Sequence, residues 1–263
     1  MGFYTNGFAR FPEKPPESGI LPVWQPQGES THEIARKLSI KYGVKTSHTG
    51  TLDPMAEGVV IILLGDVRLK KYEYAAWPKT YEFEIVFGIS TDTYDGMGVF
   101  QRFNLGSPSE KQVKGVCREF IGAYSQKVPT YSAIKVRGKS LHTYAKNREH
   151  VSLPERYGYI SDLILLSFNS INFCSLSQQV IVQIKKIVGD FRQDEIINQW
   201  EKGGPRFNPL LQTAKLRVKM TKGLYVRSLV QDICKKLNTL GIANNIVRVS
   251  SGDYNIENSI GMT

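Results

Sequence analysis

The chain of 263 residues is 41% hydrophobic and 22% charged, which is ordinary for a globular protein of one large or two small domains. Its 34 lysines and arginines exceed its 24 aspartates and glutamates, which gives a net charge of +10. A surplus of this size suits a polyanionic partner, but a basic protein without such a partner is equally compatible with it. The cysteines form no CxxC pair, the histidines show no metal-ligand spacing, and no apolar run reaches the ~18 residues of a membrane span. We therefore expect a cytoplasmic protein without a structural zinc.

The first half of the chain predicts an arm followed by a helix. Residues 1–22 are rich in glycine, proline and charge, and they predict an extended N-terminal arm ahead of a main domain at 23–263. Residues 28–43 predict an amphipathic helix with a capping box formed by Ser30 and Glu33.

Three elements are predicted between this helix and residue 98. The apolar run at 58–65 predicts a strand buried on both faces, and 67–77 suits a short helix. At 80–88 apolar residues alternate with glutamates, which predicts a half-buried strand. A loop follows at 90–98.

The second half mixes strands and helices without regular βαβ alternation. Helices are predicted at 109–120, with Ser109 as the cap, at the end of 128–147, and at 225–238; strands are predicted at 158–168, 178–187 and 213–220. Residues 189–211 hold one helix and a Gly-Gly-Pro break and resemble an insertion. The pattern predicts the α+β class, with a large mixed, mainly antiparallel sheet flanked by helices.

One carboxylate stands at the edge of the buried strand. Asp53 follows a loop of small and hydroxylated residues and precedes Pro54. Taken alone, Asp53 fits a turn better than a catalytic role, because Asp-Pro is frequent in turns. Arg227 is a candidate partner if the fold brings the two side chains together. The chain has no GxGxxG, P-loop, HExxH or GxSxG motif.

Four segments change that balance when they are taken together: HTGTLDPMAEGVVIILLG, KTYEFEIVFGISTDTYDGMG, QKVPTYSAIKVRGKSLHTYAK and TKGLYVRSLVQDIC. In this order they resemble the motifs of the TruB-type pseudouridine synthases, which isomerise a uridine in the T-loop of transfer RNA. The resemblance covers roughly residues 24–253. It implies the pseudouridine synthase fold, with a catalytic cleft across the sheet.

The resemblance also implies roles for individual residues. Asp53 matches the catalytic aspartate, Tyr81 the tyrosine that stacks on the target base, and Arg227 the arginine that orients Asp53. The residues implied to bind substrate are His48, Thr51, Tyr225 and Ile246. Each has a structural alternative: core packing for the tyrosines and Ile246, a phosphate or surface contact for Arg227, and a hydrogen-bonded loop histidine for His48.

The implied reaction agrees with the residue inventory. Breaking the N-glycosidic bond and rejoining uracil through C5 needs a carboxylate near the sugar and a flipped base held on an aromatic ring. We expect no cofactor and no metal, tRNA (its T-arm) as the partner, no guide RNA and no membrane, and a monomer. Position 55 comes from the resemblance alone. The rival hypotheses are an inactive tRNA-binding chaperone and pseudouridylation of another RNA.

The chain departs from the family pattern at three places. Gln25 stands where the family has a lysine that supports the catalytic loop, and Glu57 replaces a small residue and adds negative charge beside Asp53. The sequence ends soon after residue 253, so we expect a short form without the family's C-terminal PUA domain.

Overall fold

A mixed sheet forms the centre of the structure, a computed structural model that describes residues 12–104, 106–202 and 208–261. The strands of the described ranges are β1 (Ile20–Gln25), β2 (Thr46–His48), β3 (Glu57–Leu64), β4 (Lys79–Phe87), β5 (Ile89–Thr91), β6 (Phe100–Phe103), β7 (Gly122–Lys127), β8 (Lys135–Val136), β9 (Lys139–Ser140), β10 (Glu155–Asn172), β11 (Leu210–Met220), β12 (Gly241–Ser251), β13 (Tyr254–Asn255) and β14 (Ile260–Gly261). The helices are α1 (Thr31–Tyr42), α2 (Lys71–Ala75), α3 (Glu110–Glu119), α4 (Leu141–Lys146), α5 (Phe173–Ile184), α6 (Gln193–Lys202) and α7 (Val226–Lys236), with a 3-10 helix at Gly65–Lys70.

The large sheet has the order β14-β1-β3-β12-β4-β11-β10-β7, with β2 on β3 and β13 on β12. Among its described pairs only β1–β14 and β3–β12 are parallel, so the predicted α+β class with a mainly antiparallel mixed sheet is confirmed. Helices α1, α3 and α7 pack on one face and form the main core with β3, β4 and β11. Two short hairpins, β5–β6 and β8–β9, lie outside the sheet.

Strand β3 is buried on both faces, as its uninterrupted apolar run predicted. One face (Val60, Ile62, Leu64) packs into the main core under α1, and the other (Val59, Ile61, Leu63) packs against Trp24 and Val247. The loop that carries Asp53 therefore leads directly into one of the most buried strands.

Strand β4 is not half-buried, so that prediction was wrong. It lies between β11 and β12, and its Glu82 is only 4% exposed. Lys215 Nζ and Arg217 Nη2 of β11 lie 2.9 and 2.6 Å from the Glu82 carboxylate. These two cations compensate the cost of burying the charge, and the alternation of Glu82 with apolar residues could not reveal them.

Residues 178–187 were predicted as a strand, and this prediction was wrong because most of them belong to helix α5. The β-branched run from Val180 to Val182 is typical of strands. In the structure Leu176, Val180 and Ile184, spaced by four, are fully buried against α6, so packing decided for the helix.

The helix ends show both agreement and error. Helix α1 begins after Ser30 and ends at Gly43 in the left-handed region, but no side-chain capping bond forms at Ser30, and the Glu33 side chain pairs with Arg36. The expected cap at Ser109 does form, as a full capping box with Gln112. The single helix predicted at 67–77 divides into the 3-10 helix and α2.

The segment predicted as an insertion contributes buried side chains. In α6, Ile196 and Trp200 are fully buried, and Trp200 Nε1 donates to Gly96 O at 3.0 Å. The Gly-Gly-Pro break lies at 203–207, outside the described residues, as do residues 1–11 of the predicted arm. Strand β1 begins at Ile20, before the predicted end of that arm. The division into arm, catalytic domain and insertion stays a prediction.

Candidate active site

Asp53 lies in the loop of residues 49–56 that connects β2 with β3, hereafter the Asp53 loop. A backbone turn closes beside it, with Ala56 N donating to Asp53 O at 2.9 Å. The side chain of Asp53 is 32% exposed. The carboxylate therefore sits on an ordered turn and is still reachable from outside.

The segment before α1 holds the Asp53 loop through neutral hydrogen bonds. Gln25, fully buried, accepts from Thr31 Oγ1 at 2.6 Å, and Thr31 Oγ1 accepts from Leu52 N at 3.1 Å. This chain of bonds ends at the residue before Asp53, so Gln25 supports the loop without the positive charge of a lysine. Two more bonds join the same parts: Gly28 N to Pro54 O (3.1 Å) and Gln27 Nε2 to Met55 O (2.9 Å).

Arg227 is the direct partner of Asp53. It is the second residue of α7 and only 4% exposed. Its Nε and Nη2 donate to the two oxygens of Asp53 at 2.8 and 2.9 Å, a bidentate geometry that fixes the plane of the carboxylate. Nη1 donates to Thr93 O at 2.9 Å and Nη2 to Tyr131 O at 3.1 Å. Three separate chain segments thus converge on this one guanidinium.

Asp95 is a second carboxylate at the arginine, and sequence reasoning gave it no role although it lies in the loop predicted at 90–98. It is 4% exposed, and its Oδ2 lies 3.6 Å from Arg227 Nε. Burial raises the pKa of Asp95 to about 6, and Asp53 also raises it, whereas Arg227 and a hydrogen bond from Thr93 lower it. Burial would lower the pKa of Arg227, but Asp53 and Asp95 raise it above its ordinary value. Arg227 therefore stays charged between two acids.

The two tyrosines implied by the resemblance lie on different elements. Tyr225 precedes α7, and its main chain is held on both sides by Gln126, which accepts from Tyr225 N at 2.5 Å and donates to Tyr225 O at 3.2 Å. Burial raises the pKa of Tyr225, and the negative charge of Asp53 raises it further. Tyr81 lies half-buried on β4 with its ring packed against the main core, where its main chain pairs with Arg248 of β12.

The other predicted binding residues differ in exposure. Thr51 is exposed in the Asp53 loop, whereas Ile246 of β12 is buried in the main core that also contains Leu52. His48 ends β2, and its Nδ1 is buried without a hydrogen-bond partner within the described residues. Burial, together with the positive charges of Lys71, His32 and Arg248, lowers the pKa of His48 to about 4. His48 is therefore neutral at physiological pH.

This pKa predicts a pH dependence of stability. The folded pKa of His48 lies below its ordinary value of 6.5, so the unfolded chain binds the proton first and stability falls as pH drops from 6.5 towards 4. We expect His48→Gln to remove this loss, up to about 2 kcal/mol in the free energy of unfolding. Urea unfolding at about pH 7, 5.5 and 4.5 measures it.

Asp95 acts in the opposite direction, because its raised pKa adds stability as pH falls from about 6 towards 3.8. Comparing His48→Gln with the wild type cancels that contribution, since both keep Asp95. Parallel pH curves for the two proteins would contradict the prediction.

Arg248 is a further residue that sequence reasoning missed, since no element was predicted at 241–251. It is 3% exposed, and it donates from Nε to Val59 O at 2.5 Å and from Nη2 to Gly50 O at 3.2 Å. Strands β3 and β12 approach so closely here that a Cβ on Gly58 would lie 2.3 Å from Arg248 O. Arg248 thereby links the start of the Asp53 loop, at Gly50, to strand β3. An arginine inside an apolar run was the only available signal.

Glu57 does not simply add charge next to Asp53. It is the first residue of β3 and lies half-buried. Burial raises the pKa of Glu57, and the charge of Lys186 just beyond α5 lowers it. Lys186, which lies before the predicted insertion, thus supplies a cation to the residue that departs from the family pattern.

Within residues 12–104, 106–202 and 208–261, no group of three His, Cys, Asp or Glu side chains could hold a metal ion. Over the same ranges no helix is long and apolar enough to cross a membrane.

The fold is that of the pseudouridine synthases. The structure matches the solved Cbf5-Nop10-Gar1 complex with a TM-score of 0.59 at 19% identity, covering 94% of this chain and 53% of that one. It also matches the structure of an H/ACA RNP bound to a substrate RNA containing 2'-deoxyuridine, with a TM-score of 0.56 at 16% identity, over 93% of this chain and 51% of that one. The protein thus spans about half the length of these two solved chains.

Sequence comparison makes the assignment narrower. Residues 35–186 match the model of the TruB family pseudouridylate synthase (N terminal domain). A tRNA pseudouridine synthase B of Caldanaerobacter subterraneus is 31% identical over 92% of this chain and 71% of its own length. One from Mesoplasma florum is 32% identical over 94% of this chain and 73% of its own length. The chain belongs to the TruB family of pseudouridylate synthases.

Proposed function

We propose that this protein isomerises uridine to pseudouridine in transfer RNA, at position 55 of the T-loop. Support comes from the relatives, which are named tRNA pseudouridine synthase B. The observation that carries the proposal is the bidentate pair of Asp53 with the buried Arg227, which presents a reachable carboxylate in a fixed orientation.

Asp53 supplies the chemistry. Isomerisation breaks the bond between uracil N1 and ribose C1′, turns the base and forms a bond from C5 to C1′. The proton on C5 is lost and N1 gains one, so the reaction is balanced without an oxidant or reductant. Asp53 acts as the nucleophile or as the base in this sequence. Arg227 holds its carboxylate in place through both oxygens.

The neighbouring residues bind the RNA. The target base cannot react while it is stacked in the RNA, so it is flipped out and held on an aromatic ring. Tyr81 stacks on the base, Tyr225 holds it next to Asp53, and Ile246 lines the pocket. His48, neutral at physiological pH, and the exposed Thr51 contact the RNA loop. The net charge of +10 supports binding to phosphates.

The enzyme acts as a monomer in the cytoplasm and needs no guide RNA. The solved structural relatives are a Cbf5-Nop10-Gar1 complex and an H/ACA RNP with a bound substrate RNA, whereas the TruB-family relatives are named for tRNA alone. A requirement for a guide RNA is therefore the alternative that the experiment must exclude.

The test uses an unmodified tRNA transcript and a variant transcript with cytidine at position 55, both without any other RNA or protein. We expect pseudouridine at position 55 of the first transcript and none at any position of the second. Chemical mapping of pseudouridine along each transcript gives the result.

Three results would contradict the proposal in different ways. Tight binding without product would favour the chaperone hypothesis. Product that appears only when a guide RNA is added would place the enzyme with the guide-dependent class. Product at another position, or only in messenger or ribosomal RNA fragments, would support the isomerase activity but contradict the proposed substrate.

A further inference from the structure

The loop between α5 and α6 contacts the segment 128–147 beside the candidate active site, although no motif and no step of the proposed reaction involves this loop. Two of its residues contact the segment 128–147. Asp190 accepts from Lys146 Nζ of α4 at 2.7 Å, and Arg192 lies against Tyr131. Arg192 has a φ of +64°, in the left-handed region that non-glycine residues seldom occupy. The contacts of its side chain help to hold this strained backbone in place.

Arg192 joins two side chains that come from different segments. Its Nη2 donates to Asp92 Oδ2 at 3.0 Å, and its guanidinium lies 4.7 Å from the centre of the Tyr131 ring. The Tyr131 hydroxyl donates to the same Asp92 oxygen at 3.0 Å. Burial, and the charge of Asp92, raise the pKa of Tyr131 to about 12, so this hydroxyl keeps its proton. The other oxygen of Asp92 accepts from Val99 N at 2.9 Å.

Tyr131 itself contacts Arg227, and Asp92 is the chain neighbour of a second residue that does. The carbonyl of Tyr131 accepts from Arg227 Nη2, and the carbonyl of Thr93, next to Asp92, accepts from Arg227 Nη1. Arg227 also donates from Nε and Nη2 to the two oxygens of Asp53. Movement of Asp92 away from Tyr131 would therefore separate the two carbonyls that hold the guanidinium.

Arg192 is presented from a well-anchored base. Trp200 of α6 is 1% exposed and donates to Gly96 O, in the same loop as Asp92. Ser177 of α5 donates to Trp200 O at 2.6 Å. The α5–α6 pair is thus hydrogen-bonded to the loop that carries Asp92, through Trp200. Arg192, which lies between the two helices in the chain, contacts Tyr131.

We propose that Arg192 is a positioning residue for the isomerisation, which keeps Asp92 against Tyr131 and thereby keeps Arg227 aligned on Asp53. The proposal rests on the proposed function for its kinetic part. The competing role for a half-buried surface arginine is a direct phosphate contact, which would help RNA binding and leave the chemical step unchanged.

The experiment compares Arg192→Met and Arg192→Lys with the wild type under single-turnover conditions, with enzyme in saturating excess over the tRNA transcript. We expect the rate to fall about tenfold with methionine and about threefold with lysine, since lysine keeps the charge and loses the planar fork. The Kd for tRNA and its salt dependence should match those of Arg118→Met. Arg118, exposed on α3 and outside the site, controls for the loss of one positive charge.

A double-mutant cycle adds a second measure. Asp92→Asn should reduce the rate to a similar degree, and the double variant Asp92→Asn/Arg192→Met should lose little more than either single change, because both break the same link. Fully additive losses would overturn the proposal. So would unchanged rates combined with a weaker Kd and a salt slope reduced by about 0.7 to 0.9, the signature of one lost phosphate contact.

A physical measurement separates this proposal from the proposed function. In the RNA-free protein, Leu141 N donates to Ile134 O and His142 N to Ser132 O. Hydrogen exchange at these amides should be faster in Arg192→Met than in the wild type or Arg118→Met, and unchanged exchange would overturn the anchoring role. If the wild type makes no pseudouridine, the proposed function fails, while this exchange comparison still decides whether Arg192 anchors the segment.

Discussion

Asp53→Asn is expected to bind tRNA with a Kd within about threefold of the wild type and to make pseudouridine at least about 10⁴-fold more slowly. Asparagine has the same shape and can still accept a hydrogen bond from Arg227, but it has no carboxylate to act as nucleophile or base. A positioned base alone contributes about 10² to 10⁴-fold, and loss of a nucleophile closes the covalent route altogether. Single-turnover kinetics on an unmodified tRNA transcript, with binding measured in parallel, give both numbers.

Asp66→Asn is the matched control, because Asp66 is an exposed acid in the neighbouring 3-10 helix outside the Asp53 loop. It loses the same charge and should keep the wild-type rate. Product formed by Asp53→Asn at the wild-type rate would remove Asp53 from the mechanism. A loss of tRNA binding by more than tenfold would instead assign Asp53 a binding role.

Arg227→Lys is expected to slow pseudouridine formation by about 10² to 10³-fold, in the range that follows removal of one precisely aimed donor group in other enzymes. A lysine cannot donate to both oxygens of Asp53 and to two carbonyls at once, so the carboxylate loses its fixed plane. The free energy of unfolding should fall as well, by a few kcal/mol, since breaking up a buried ion pair typically costs about 3–5 kcal/mol. Single-turnover rates and urea unfolding measure the two effects.

Arg217→Lys serves as the control for this substitution. Arg217 also pairs with a buried carboxylate, that of Glu82, but its side chain is 44% exposed and it lies on β11, with no contact to Asp53. We expect its rate to stay within about twofold of the wild type. An Arg227→Lys enzyme with an equally small change in rate would show that orientation of Asp53 does not limit the reaction.

Elements with a strong local signal lie where the sequence predicted them. Helix α1, the buried strand β3 and helix α7 all lie where their hydrophobic patterns predicted them. The predicted cap at Ser109 formed with Gln112, three residues along, whereas Ser30 and Glu33 at the same spacing formed none. Such signals depend on neighbours within about one turn of chain, which a sequence displays directly.

Predictions were wrong for elements whose surroundings are formed by residues far away in the sequence. The run around Val180 became helical because α6 covers its apolar face, and Glu82 became buried because β11 supplies two cations. The sequence around each residue is compatible with either outcome. Packing against a partner from elsewhere in the chain carries more free energy than the local propensity, and so it decides.

The same division applies to the site. The sequence determined which groups are available: four motifs in family order named Asp53, Tyr81, Tyr225 and Arg227 as candidates, and the charge of +10 is compatible with an RNA partner. Only the tertiary structure decided that Arg227, 174 residues from Asp53, meets both of its oxygens, and that Asp95 lies beside them. Arg192 and Asp92 are likewise 100 residues apart in the chain, and nothing in the sequence paired them. The reason is physical: an ion pair of this kind depends on the separation of two side chains in space, and that separation is set by the order of strands in the sheet and the packing of helices across it.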